Sequence, residues 1–253
     1  MVHDGSHDER VARLLSSARV KQLNPPRPDA AWSFTVPEPA ESSAFYARCD
    51  GLELDDGVRI FGRGELGDVT SWLVLDKGLS WPDDMIVVGE RRDVVIVLDL
   101  DTRHVRAGGG LLEVGSDDLG SFERVASGLL GYLSTRTGAG DDADPPPEIA
   151  ARCAASAGDR DALDRALARP LYPGSQRTVA ALALELGALH AVAGDATRMM
   201  HAFERSVEAR LAAVGRGGRE AERVAAWNAA AHVARSRGAE SAALACERRA
   251  ASG

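Results

Sequence analysis

The sequence lacks several features that would place it in a specialised class. Its three cysteines, Cys49, Cys153 and Cys246, lie roughly a hundred residues apart, which fits neither a disulfide framework nor a zinc site. No run approaches the roughly 18 uninterrupted apolar residues of a membrane-spanning helix. The first 30 residues are charged and contain no long apolar stretch, which argues against a secretory signal. We therefore expect a cytoplasmic protein with reduced thiols, no membrane association and no bound metal.

Basic charge is scarce in the first part of the chain. Residues 1–143 carry 25 Asp and Glu against 15 Lys and Arg, a net charge of −10. Residues 144–253 carry 13 against 15, a net charge of +2. An acidic surface disfavours nucleic acid and favours a basic protein partner, although it can also serve solubility alone.

A break in composition near residue 140 predicts two modules. Residues 138–147 (GAGDDADPPP) combine glycine, aspartate and three consecutive prolines, which neither a helix nor a central strand accommodates. We predict an α+β domain over residues 1–140, a Pro-rich linker over 141–147 and an α-helical hairpin domain over 148–253. The first domain is expected to hold a mostly antiparallel sheet with helices on one face.

The first module alternates helical and strand-like patterns. We predict a helix over 9–21, a second helix from about 37–39 to Asp50-Gly51, and a final helix capped by Asp117 or Asp118. The apolar face of this final helix would include Phe122 and Leu133. Strands are predicted at 52–54 and 58–61 around the 55–57 turn, at 72–75, at 85–89 and 93–99 as a hairpin, and at 105–106 and 111–114 around a glycine turn. The 93–99 run is apolar on both faces, which predicts a central strand.

The second module shows only helical patterns, near 148–157, 159–169, 175–193, 196–214, 219–237 and 239–250. Gly158-Asp159, Gly194-Asp195 and Gly238-Ala239 mark turns spaced 36 and then 44 residues apart. A glycine stop followed by a capping aspartate is typical of helical hairpins, and such periods indicate stacked repeats. Leu186-Gly187, Gly194 and Phe203 resemble part of the tetratricopeptide pattern, so the array is tetratricopeptide-like.

The first module resembles the SUKH superfamily (the Smi/Knr family). The string 45–52 (FYARCDGL) is similar to the segment in which a family helix enters an Asn-Gly or Asp-Gly turn before the first strand. The strand at 94–101, the hairpin at 105–114 and the helix at 122–133 resemble the elements that follow. The likeness covers roughly residues 9–135, and the helical array is additional to it.

This resemblance implies a non-catalytic binding module. SUKH proteins frequently act as immunity proteins that neutralise bacterial toxins by direct binding, and such toxins are often basic. We therefore predict partner-binding residues in the acidic turns, with Trp81 as an apolar anchor. The predicted set is Asp55, Asp56, Trp81, Asp83, Asp84, Glu90 and Asp93. The alternative is an adaptor or assembly factor that binds its partner through the helical array.

A second alternative is an enzyme with a small acidic site. Asp99 and Asp101 share one face of a strand, and with His104 they could bind a metal or act as acid and base. In the array, His201 and Glu204 lie one turn apart and His190 is nearby in sequence, but a hydrated helix face is the simpler interpretation. The glycines at 107–110 and 62–67 lack the context of a phosphate or dinucleotide loop, so we predict no catalytic residue and no cofactor.

Overall fold

Two units are present in the computed structural model, Met1–Pro146 and Pro147–Gly253. The residues that it describes are 5–77, 84–100, 110–115, 118–140, 145–214 and 218–252. The α+β class of the first unit and the all-α class of the second are confirmed.

An antiparallel meander forms the first unit. Within the described residues its seven strands follow one another in chain order, each antiparallel to the next. The strands are β1 (Val20–Leu23), β2 (Leu52–Leu54), β3 (Val58–Ile60), β4 (Met85–Arg91), β5 (Val94–Asp99), β6 (Gly110–Gly115) and β7 (Asp118–Ala126). The predicted hairpin is β4–β5. Strand β5 has partners on both sides, so its prediction as an interior strand is confirmed.

Both faces of the sheet centre are buried. Strand alternation puts Ile96 and Leu98 on one face and Val97 and Asp99 on the other. Ile96 and Val97 are both 0% exposed. This explains why β5 is apolar at nearly every position, as strands covered on both faces usually are.

Within the described residues of this unit, four α-helices accompany the sheet: α1 (Gly5–Leu15), α2 (Ala40–Tyr46), α3 (Leu66–Lys77) and α4 (Leu129–Thr137). Val11 and Leu14 of α1, Phe45 of α2 and Leu130 of α4 share a core with the Ile96 face. Glu41 of α2 also links two helices, because its carboxylate accepts a hydrogen bond from the Leu129 N–H (2.7 Å) at the start of α4.

The first predicted helix is too long at its C-terminal end. It was expected over 9–21, but α1 ends at Leu15 and Val20–Leu23 form β1. Val20 pairs with Leu54 and Leu23 with Leu52, so the β2 edge recruits this segment into the sheet. The next helix is also shorter than predicted, since α2 ends at Tyr46. Gly51 then adopts the left-handed conformation (φ +92°) that lets the chain enter β2.

The strand predicted at 72–75 is wrong, because these residues belong to α3. A short apolar run does not distinguish a buried strand from a helix segment, and Leu66, Val69 and Leu73 supply a helical spacing that contacts the core. The helix α3 lies beside the part of β4 that has no partner in β3. Strand β3 pairs only with residues 89–91 of β4. Nearer the N-terminal end of β4, the Val87 N–H donates a hydrogen bond to the Thr70 hydroxyl of α3 (3.0 Å).

The closing helix begins later than predicted. Residues 118–126, expected to open it behind an Asp117 or Asp118 cap, form β7 instead. Phe122 and Ala126 fit a helical spacing. However, β5 covers only one edge of β6, and residues 118–126 pair with the other edge, where Val114 lies opposite Phe122. The helix α4 starts only after Ser127-Gly128. The 105–106 strand and residues 107–109 of the glycine turn lie outside the described residues.

Six helices fill the described part of the second unit: α5 (Pro147–Ala157), α6 (Arg160–Ala168), α7 (Gln176–Val192), α8 (Ala196–Ala212), α9 (Arg219–Ser236) and α10 (Glu240–Ala251). All six agree with the predicted helices to within three residues. They pair as hairpins α5–α6, α7–α8 and α9–α10. In the first two, Gly158 and Gly194 take positive φ and the following Asp159 and Asp195 accept backbone hydrogen bonds at the helix start.

Small residues allow the paired helices to approach closely. Gly187 of α7 faces the Phe203 ring of α8, and a Cβ at position 187 would overlap that ring. Phe203 is fully buried. These are two of the residues that carry the tetratricopeptide-like pattern, so their spacing has a packing explanation. Among the described helices, none is both long and apolar enough to cross a bilayer.

Candidate functional site

The predicted partner-binding residues are divided between the two ends of the sheet. Val58 pairs with Arg91, which brings the 55–57 turn beside the β4–β5 turn. Asp55, Asp56, Glu90 and Asp93 therefore lie at one end. Asp84 precedes Met85 and lies at the opposite end. Trp81 and Asp83 fall outside the described residues.

Two of these acidic side chains are engaged within the module. Asp55 forms an ion pair with Arg19 (2.9 Å), and Asp56 forms one with Arg136 of α4 (3.2 Å). Arg19 also donates to the backbone carbonyl of Arg136 (2.6 Å). These contacts tie β1, the β2–β3 turn and α4 together, so both carboxylates already have a structural role.

Arg136 also belongs to a polar cluster around Glu113 of β6. The Glu113 carboxylate accepts hydrogen bonds from the Tyr132 hydroxyl (2.9 Å), from Arg136 (3.1 Å) and from Arg91 of β4 (3.1 Å). Burial raises the pKa of Tyr132 and the neighbouring Glu113 charge raises it further, so the phenol stays a hydrogen-bond donor. We call Arg91, Glu113, Tyr132 and Arg136 the Glu113 cluster. It holds α4 to the sheet.

The remaining acidic residues at this end face solvent. Asp93 is exposed, and Glu90 is exposed with Arg59 at 3.5 Å. An exposed pair at this distance contributes little stability and can be exchanged for another partner. Glu90 and Asp93 are therefore the accessible part of the predicted acidic surface.

The alternative acid–base site is described only in part. Asp99 is 1% exposed, on the sheet face opposite Ile96. Asp101 and His104 lie outside the described residues. Among the residues that are described, no three His, Cys, Asp or Glu side chains group as metal ligands would.

A polar cavity in the helical array brings together the histidines that stood apart in the sequence. It has a volume of about 520 Å³ and lies among α6, α7 and α8. Leu186 and His190 of α7 form its buried floor, and Asp164 of α6 lines one side. The α8 side is lined by Arg198, His201, Ala202, Glu204, Arg205 and Glu208. We call this space the α6–α8 cavity.

His190 is the buried titratable group of this cavity. It is 1% exposed, and its Nδ1 has no hydrogen-bond partner among the described residues. Burial lowers the pKa of His190, and the charge of Arg160 lowers it further. The imidazole is therefore neutral near pH 7, with one nitrogen available as donor and the other as acceptor.

The charges around His190 are only partly paired. Arg198 pairs with Asp195 (3.6 Å), and Glu204 pairs with Arg249 (2.7 Å). Arg205 donates to the Leu167 carbonyl, and burial lowers its pKa while Asp164 and Glu208 oppose that shift. Asp164 and Glu208 are exposed and have no ion pair within the described residues. They flank Arg205 from two helices.

A second groove, of about 350 Å³, lies among α7, α8 and α9. Ala181 and Leu184 of α7 and Val214 beyond α8 are apolar members of its lining. Arg177 also lines it, as do Arg210 and Glu222, which form an ion pair. Protein-binding patches usually combine apolar and polar residues in this way. We call it the α7–α9 groove.

The sequence indicated the pair His201 and Glu204 and, apart from it, His190, but it did not indicate Asp164, Arg205 or Glu208. Glu204, Arg205 and Glu208 follow His201 on α8 at helical spacing, whereas Asp164 comes from another hairpin, 26 residues before His190. Comparison with known protein families, with characterised proteins and with solved structures finds no match to this chain.

Proposed function

We propose that this protein is a non-catalytic binding protein that holds a protein partner in its helical array. The observation that carries the proposal is the α7–α9 groove. In its lining Leu184 is partly exposed and Ala181 is exposed, alongside charged residues that can hydrogen-bond a partner. Stacked hairpins present such surfaces on rigid helices, which lowers the entropic cost of binding.

A photo-crosslinking side chain at position 184 tests this assignment in the full-length protein. We expect it to capture a specific protein, and the same group at Asp93 to leave that protein uncaptured. The captured protein, once purified, should bind the unmodified chain. Ala181→Arg would fill the groove and should weaken binding at least tenfold, whereas Ala225→Arg, at an exposed position of α9 outside the groove, should leave it unchanged. Equal affinity of both variants would contradict the proposal.

We also propose a second candidate, a SUKH-type immunity protein that neutralises a basic toxin through the first module. The net charge of −10 over residues 1–143 supports it, together with the exposed Glu90 and Asp93. A partner bound there should associate more slowly as salt rises. Asp93→Lys and Glu90→Lys should slow association, and Asp68→Lys, on the exposed side of α3, should have a smaller effect. If Ala181→Arg weakens binding of this partner instead, the partner binds the helical array and not the first module.

A further inference from the structure

We propose that the α6–α8 cavity binds an organic cation, an ammonium or guanidinium group, through the exposed carboxylates of Asp164 and Glu208. The cation can belong to a free small molecule or to a lysine or arginine side chain of a bound polypeptide. This site is separate from the α7–α9 groove, since the two share no lining residue.

The net charge of the cavity favours a positively charged ligand. Arg198 and Glu204 are neutralised by Asp195 and Arg249, both outside the cavity lining. The charges that remain are the two carboxylates, Asp164 and Glu208, and the single guanidinium of Arg205. The net charge of −1 at neutral pH favours a monovalent cation, and the two exposed carboxylates would repel an anion.

The shape of the cavity favours an organic ligand over a simple ion. Its volume of about 520 Å³ lies within the range of small-molecule sites. Leu186 contributes an apolar patch to the floor, which suits the methylene carbons of an alkylammonium or alkylguanidinium group. Beside it lies the neutral imidazole of His190, whose buried Nδ1 has no hydrogen-bond partner among the described residues. A buried polar atom of this kind gains from a bound partner.

Methylguanidinium and butylammonium are suitable probes, with N-methylurea as the uncharged isostere of the former. We would titrate each into the full-length protein and follow the imidazole NMR signals of His190 and His201, assigned with His190→Gln and His201→Gln variants. Both cations should shift the signals in a saturable way, whereas N-methylurea should not. Asp164→Asn and Glu208→Gln should each raise the Kd about fivefold, which corresponds to about 1 kcal/mol. Glu240→Gln, an exposed array carboxylate outside the cavity, should leave it unchanged.

A short peptide with one central arginine and blocked termini distinguishes the two sources of the cation. Binding at least tenfold tighter than methylguanidinium assigns the site to a polypeptide side chain, and equal binding assigns it to a free small molecule. Equal shifts with N-methylurea, or an unchanged Kd in both cavity variants, would overturn the proposal. Neither of these results affects the protein captured by the crosslinker at position 184. The cation site in the α6–α8 cavity and the protein-binding α7–α9 groove can therefore be disproved independently.

Discussion

The Glu113 cluster provides the sharpest test of how the first module is held together. We consider the substitution Glu113→Gln, which keeps the size of the side chain and removes its charge. In the folded protein Glu113 accepts three hydrogen bonds, from Tyr132, Arg91 and Arg136, at 2.9–3.1 Å. A glutamine has a single acceptor oxygen, so at least one guanidinium loses its partner.

The contacts set the size of the effect. A hydrogen bond to a charged group contributes about 1.5–3 kcal/mol, and two such bonds involve arginine here. The side chains of Arg91 and Arg136 are 30% and 27% exposed, so water can replace part of the lost hydrogen bonding. The glutamine oxygen can also retain the bonds from Tyr132 and Arg136, which share one carboxylate oxygen, so that Arg91 loses its partner. We therefore expect the free energy of unfolding to fall by about 2 kcal/mol.

Hydrogen exchange of peptides from β5 and β6 measures this change within the first module of the intact chain. A loss of 2 kcal/mol corresponds to roughly 30-fold faster exchange of the most protected amides. The control is Glu53→Gln on β2, whose carboxylate has no ion pair within the described residues. If exchange in Glu113→Gln rises no more than in this control, the cluster does not stabilise the sheet as we argue.

Three further predictions concern the titratable and close-packed groups. Burial lowers the pKa of His190 below its ordinary value of 6.5, so the folded state resists its protonation and stability falls as the pH drops below about 6.5. His190→Gln should reduce this loss of the urea midpoint between roughly pH 7 and pH 5, and an identical pH profile would contradict it. Gly187→Ala should lower the Tm by an amount equivalent to about 1–3 kcal/mol, because the new methyl group overlaps the facing phenyl ring of α8. An unchanged Tm would contradict this prediction, because the Phe203 ring would then move aside without cost. Burial raises the pKa of Cys49 to about 12 and that of Cys246 to about 11, whereas Cys153 is exposed. A maleimide near pH 7.5 should therefore add once to the native protein by intact mass, and three rapid additions would disprove the burial.

The array could be predicted almost entirely from the sequence because its signals are local. Each glycine turn stops one helix, and two of the three are followed by an aspartate that starts the next. The sheet was harder, because strand pairing depends on distant segments. Val20 becomes part of β1 because Leu54 lies beside it, and Phe122 belongs to β7 because β6 has an open edge. Both segments carry patterns that fit a helix equally well.

The candidate sites were predictable only in part, for the same reason. Asp55 and Asp56 look like free acidic side chains in a turn, and nothing local indicates partners 36 and 80 residues away. His190 and His201 could be noted one by one, but Asp164 joins them only through the stacking of two hairpins. A cavity formed by three helices has no linear signature.

The hairpin turns have a consequence for how this chain could change over time. With Gly158, Gly194 and Gly238 closing successive hairpins, the second unit behaves as a one-dimensional stack in which each hairpin interacts with its nearest neighbours. Duplication or loss of one whole hairpin would disturb only the interfaces next to it. The array can therefore lengthen or shorten in units of one hairpin, and each addition would create a new groove without rebuilding the existing ones.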